Sequence, residues 1–140
     1  MPSNKAGTFR QGFFAVALMA AVFGLAQPGE AWAKQDAIYA HPKQPKMTAR
    51  LNLGKLNYRA FCAVCHGETG RGAESGPTFI HQIYRPGHHP DGLFYKAAKD
   101  GSPAHHWGFG DMPPVEGITD AQISSIVEYL RAVQQANGLF

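Results

Sequence analysis

The sequence predicts an all-α fold of three or more helices joined by long loops. Three observations carry that expectation. Apolar residues recur at helical spacing, most clearly over Ile123, Ile126, Val127, Leu130 and Val133. No stretch alternates apolar and polar residues as a half-buried strand does. The segments 68–90 and 102–117 are crowded with glycine and proline, and loops of that length in a small domain usually wrap something.

The N-terminus reads as a targeting segment rather than as part of the fold. Lys5 and Arg10 precede an apolar run at 13–26, followed by the breakers Pro28 and Gly29 and the small-residue triplet Ala31-Trp32-Ala33. This is the basic, apolar and A-x-A order of a secretory signal peptide, with cleavage expected after Ala33. The run falls short of the roughly 20 residues a membrane-spanning helix needs. No cysteine lies near the cleavage position, so a lipoprotein anchor there is excluded. Processing would leave 107 of the 140 residues, one small domain. The expected organisation is a cleaved signal peptide at 1–33, an extended leader at 34–50 and a folded domain at 51–140.

Charge argues against a polyanionic partner. The chain has 13 basic and 10 acidic residues; losing Lys5, Arg10 and Glu30 leaves 11 and 9, a net charge of +2 with histidines neutral. That is too small to imply nucleic acid or a strongly anionic surface. A domain this small often needs something besides its own side chains to complete a core.

The elements follow in order. The leader, with Pro42, Pro45 and three lysines, has weak periodicity; its His41 and Met47 are read as solvated or locally packed. The first helix is expected to open at Asn52 and end at Gly67, with Leu53, Leu56, Ala60 and Val64 on its apolar stripe. A second, short helix is expected from Asp91 to Gly101, burying Leu93, Phe94, Ala97 and Ala98. The last helix is the clearest. Thr119 and Gln122 make a T-x-x-Q capping box, Ile118 and Ile123 are placed as a hydrophobic staple, and Gly138 is a terminator.

The chemistry concentrates in "FCAVCHG", which holds the only two cysteines of the chain. Three readings compete. A redox dithiol expects a βαβ context, and no strand pattern precedes this one. A structural zinc site wants four ligands, commonly from a second paired half, and the histidine pairs elsewhere lack that spacing. The remaining reading is C-x-x-C-H, the attachment sequence of c-type haem. Cys62 and Cys65 would each form a thioether with a vinyl group, and His66 would bind the iron. The cysteines close too small a loop to serve as a disulfide staple. Haem would also account for a thin core and long loops, by becoming the core itself.

A sixth iron ligand is then expected. After processing only Met47 and Met112 remain, and Met112 sits in "GDMPPV", where prolines stiffen the loop. His66 and Met112 are therefore the expected metal ligands. His81, His88, His89, His105 and His106 are rivals for the distal position. The two histidine doublets could instead bind a second metal such as copper, since imidazole suits it.

Taken together, these residues resemble the class I cytochromes c, and most closely their small bacterial monohaem members. Gly54, Tyr58, Cys62, Cys65 and His66 fit the first-helix pattern of that family. The resemblance implies that Pro77, in "GPTF", accepts the His66 N–H, and that Trp107 hydrogen-bonds a haem propionate. It also implies that Tyr129, in "EYL", meets Gly54 and Tyr58 at a helix crossing. The expected fold is thus the small cytochrome c fold, wrapped around one covalent haem c. The expected function is single-electron transfer in the periplasm, with no catalytic residues. Transient redox proteins are the expected partners, with neither nucleic acid nor stable membrane insertion after processing. Two alternatives stay open: a haem-based sensor or enzyme subunit with a displaceable Met112, and a copper-associated redox protein using the histidine doublets.

Overall fold

Thr48, rather than Asn52, opens the first helix: its hydroxyl accepts the Leu51 N–H at 3.2 Å, and α1 runs Ala49–Phe61. The stronger cap lies one turn earlier because Thr48 is extended while Asn52 is already helical. The computed structural model describes residues 42–140. The expected signal peptide, and the leader up to and including His41, lie outside the described residues. Within the described part, the end of the leader is fastened to the domain. Lys43 N–H donates to Asn137 Oδ1 at 2.9 Å, Asn137 Nδ2 returns a bond to the Lys43 carbonyl at 2.8 Å, and Met47 packs against the core.

Among the described residues there are four α-helices: α1, then α2 (Ala63–His66), α3 (Asp91–Asp100) and α4 (Asp120–Ala136), with a 3-10 turn at Gln82–Tyr84. Two isolated bridges, Ala73 with Gly76 and Ser102 with Met112, are the only β pairing among the described residues. The expected first helix is therefore divided. Cys62, at φ −122°, interrupts it, and Gly67 closes the second piece.

The expected apolar stripe of α1 is not its packing face. Leu53, Leu56 and Val64 are 54%, 62% and 83% exposed, whereas Gly54 and Tyr58 are buried. The reason is the approach of α4. A Cβ on Gly54 would overlap the Ser125 carbonyl oxygen and lie 2.8 Å from Tyr129 Cβ, so only glycine lets the two backbones meet here. Tyr58 and Tyr129 pack beside the crossing with ring centroids 5.7 Å apart, and the Tyr58 hydroxyl donates to the Gly67 carbonyl at 2.7 Å.

α4 supplies half of the buried apolar core. Its capping box forms at Thr119 and Gln122, and Ile118, Ile123, Ile126, Val127, Leu130 and Val133 are all buried. Each such side chain contributes roughly 1.5–3 kcal/mol when fully buried. Gln134, also buried, donates to the Phe79 carbonyl at 3.0 Å and accepts from Arg131 at 2.8 Å. Arg131 fastens the loop before α3 to α4. Its guanidinium donates to the carbonyls of Tyr84 and His89 and pairs with Asp91 at 2.7 Å.

α3 behaves differently. It spans the expected residues, yet none of them is buried, and Leu93 is 42% exposed. Its apolar side faces a hollow.

Candidate functional site

Two adjoining cavities, of about 270 and 290 Å³, occupy the space between α3, the 102–112 loop and the Cys62–His66 segment. His66, Phe79, Phe94, Ala97 and Met112 border both. Cys62, Cys65 and Ala98 line one; Pro77, Leu93 and Trp107 line the other. Every sequence-predicted site residue is thus brought to the wall of one hollow. The stripe expected to be buried on α3 lines it too.

His66 is fixed from below. Its Nδ1 lies 2.9 Å from the Pro77 carbonyl oxygen, so Nδ1 carries the proton and donates, leaving the Nε2 lone pair for a metal. Burial lowers its pKa, with the bond to Pro77 pulling the other way. The Phe79 ring lies 4.4 Å from the imidazole, centroid to centroid. That wall was missed in the sequence, although Phe79 stands inside the quoted "GPTF".

Met112 is held by its backbone as well as by prolines. Its N–H donates to the Ser102 carbonyl at 2.8 Å, and the Ser102 N–H returns a bond to the Met112 carbonyl at 2.9 Å. Gly101 makes that pairing possible: it has φ +79°, and a Cβ there would lie 2.6 Å from the Met112 carbonyl oxygen. Asp111 accepts the Ala104 N–H at 2.9 Å and narrows the loop further. Trp107 is half-buried, stacked 6.1 Å from Tyr84 and edge-on to His81 at 5.3 Å.

The donor set decides between the three readings of the cysteines. Cys62 and Cys65 are unpaired. Burial, and then the neighbouring Cys65, pushes the Cys62 thiol up to about 12, opposite to the low pKa of a redox dithiol. Among the described residues, the one cluster of metal-ligating side chains is His88, His89 and His106, and it contains neither cysteine. Haem fits instead: two free thiols and a tautomer-fixed histidine border an apolar hollow that leaves α3 without a buried residue.

The histidine doublets are drawn together by the fold. His88 and His89 meet His105 and His106 beside the first cavity, which His89, His105 and His106 line, with ring centroids 5.4 to 6.0 Å apart between the doublets. Burial first, and neighbouring histidines after it, lowers the pKa of His89 and of His106. Sequence showed two doublets but not that they converge.

The family model described as Cytochrome c matches residues 51–134. No curated protein and no solved structure gives a match.

Proposed function

The chain belongs to the cytochrome c family over residues 51–134, and we propose that it carries single electrons in the periplasm, with haem c ligated by His66 and Met112. Membership of the family makes it a haem-based protein of the electron-carrier class, with the haem bound covalently. Bound haem supplies a one-electron couple. The chain's own residues do the rest. Cys62 and Cys65 tether the group, and His66 offers Nε2 while Pro77 sets its ring orientation. Met112 offers a thioether from a loop pinned at Ser102, which biases the potential upward. The Trp107 indole N–H is a donor at the cavity wall, suited to a propionate.

The observation that carries the ligand assignment is that His66 and Met112 border both cavities, each held by hydrogen bonds. With His66 and Met112 both serving as ligands, the chain would leave no coordination position for a substrate, which supports a carrier rather than an enzyme. The signal-peptide pattern supports export, and no helix among the described residues is long and apolar enough to cross a membrane. Transient partners fit a small, nearly neutral surface better than long-range charge steering. Met112→Ala should abolish the weak far-red sulfur-to-iron band of the oxidised protein, lower the potential and let the reduced form bind carbon monoxide. Rapid carbon monoxide binding by the native reduced protein at neutral pH would overturn the carrier assignment.

A further inference from the structure

We propose that His88, His89 and His106 form a second metal site, a three-imidazole site for a first-row transition-metal ion, beside the haem cavity. One ligand nitrogen from each residue lies within 4.8 Å of the other two, a spread that modest side-chain rotation closes around a single ion. Two separate segments supply them: the loop before α3 gives His88 and His89, and the Met112 loop gives His106.

The scaffold behind these rings is already organised. His89 Nδ1–H donates to the Ile83 carbonyl at 2.6 Å, which fixes the tautomer and leaves Nε2 as the ligating atom. That is the outer hydrogen bond a ligating histidine ordinarily makes. The N–H groups of His88 and His89 both donate to the Arg85 carbonyl, at 2.9 and 2.8 Å, so their turn is set by backbone. Arg131 holds the His89 carbonyl at 2.5 Å from the α4 side. His105, stacked on His89 at 6.0 Å, donates from Nδ1 to the Pro103 carbonyl at 2.7 Å and steadies the chain beside His106.

Ligand chemistry selects the class of ion. Three imidazoles and no carboxylate suit zinc, copper or nickel and give calcium or magnesium nothing to bind. Asp91, the first residue of α3 and two positions after His89, is engaged by Arg131 at 2.7 Å. Among divalent ions copper should bind most tightly, following the usual order of affinities. Because the ligands come from both loops, an ion here would clamp the Met112 loop to the start of α3.

The test uses the haem-loaded protein, titrated with zinc in a metal-buffered solution and dialysed before elemental analysis. The expected result is one zinc per iron and slower amide exchange over residues 102–112. His88→Ala and His106→Ala should each weaken zinc binding by at least about tenfold, the scale seen when a metal site loses one of its supports. His81→Ala, outside the cluster, should leave it unchanged. Binding that survives both cluster variants, or no stoichiometric zinc, would overturn the site. The iron spectrum is read in the same samples. A change there in His106→Ala would assign that histidine to the haem iron and likewise sink the second site. A chain lacking haem altogether is recognised by absorbance, so failure of the haem assignment is told apart from failure of this one.

Discussion

The two sides of α4 are built on different principles. On one side α1 crosses it in direct contact, and Tyr58 and Tyr129 beside the crossing are fully buried. On the other side α3 touches it where Arg131 meets Asp91 and the Phe94 ring, while Leu93, Phe94, Ala97 and Ala98 line the hollow and no residue of α3 is buried. The difference lies in the residue at the point of approach. Gly54 lets two backbones touch, so side chains interdigitate around it and exclude water. Phe94, Ala97 and Ala98 instead line a cavity that α4 walls with Ile123, Ile126 and Leu130. A helix whose apolar side lines the cavity in this way is placed to meet a haem bound there.

The largest test of this contrast removes the haem. A Cys62→Ala/Cys65→Ala chain has no thiol to hold the group and leaves the hollow to water. Hydrogen exchange should then show α3 and the 102–112 loop losing protection at least about tenfold more than α1 and α4, since the core helices retain their mutual burial. Equal loss on both sides would show that the α1–α4 crossing does not stand without the cofactor.

A smaller effect separates the sides by two glycines. Gly54→Ala drives a Cβ into the Ser125 carbonyl and should cost about 2–3 kcal/mol in urea unfolding, as overpacking of a tight contact does. The far-red methionine band should survive, because the crossing is remote from the Met112 loop. Gly101→Ala places a side chain at φ +79° and ψ −178°, a region essentially confined to glycine and worth roughly 1–3 kcal/mol, and crowds the Met112 carbonyl. Here the band should weaken at a stability loss no greater than that which Gly54→Ala bears with its band intact. The reverse pattern would mean that the two sides are coupled through α4.

The same contrast explains what sequence could and could not show. α4 was legible because its packing uses bulky apolar residues at helical spacing, and Ile123, Ile126, Val127, Leu130 and Val133 are all buried. Its capping box is purely local and formed as written. α1 misled because its buried face is set by a glycine and a tyrosine, while Leu53 and Leu56 sit outside. Hydrophobic spacing gives no weight to a residue whose contribution is having no side chain. At the site, C-x-x-C-H was readable because that chemistry requires fixed residue types, and the structure brings Met112 to the cavity walls that His66 also borders. The meeting of the histidine doublets was not, since residues 88 and 106 approach only through the fold. Nor was Arg131, whose hydrogen bonds go to backbone carbonyls that any residue supplies.

The smallest expected effect concerns the α1–α4 side alone and appears only in alkali. The Tyr129 hydroxyl donates to Gln44 Oε1 at 2.8 Å, tying the end of the leader to the crossing. Burial first, and then the Glu68 charge, pushes its pKa from 10.0 up to about 12. A raised phenol pKa means that the folded state keeps a proton which the unfolded chain releases. The associated stability is therefore complete below pH 10, the unfolded value, and is lost as pH rises toward the folded value of about 12. Tyr58, pushed up mainly by burial, adds a slope of the same sign. Tyr129→Phe removes its own share of that slope together with one hydrogen bond, worth about 1 kcal/mol at neutral pH. Urea midpoints of wild type and variant should consequently converge as the solution is taken from neutral pH through the tyrosine range. The haem absorbance gives an internal check, because Tyr129 borders neither cavity. Parallel pH profiles would mean that the Tyr129 phenol ionises in the folded protein as readily as in the unfolded chain, and that the crossing is not as dry as its burial implies.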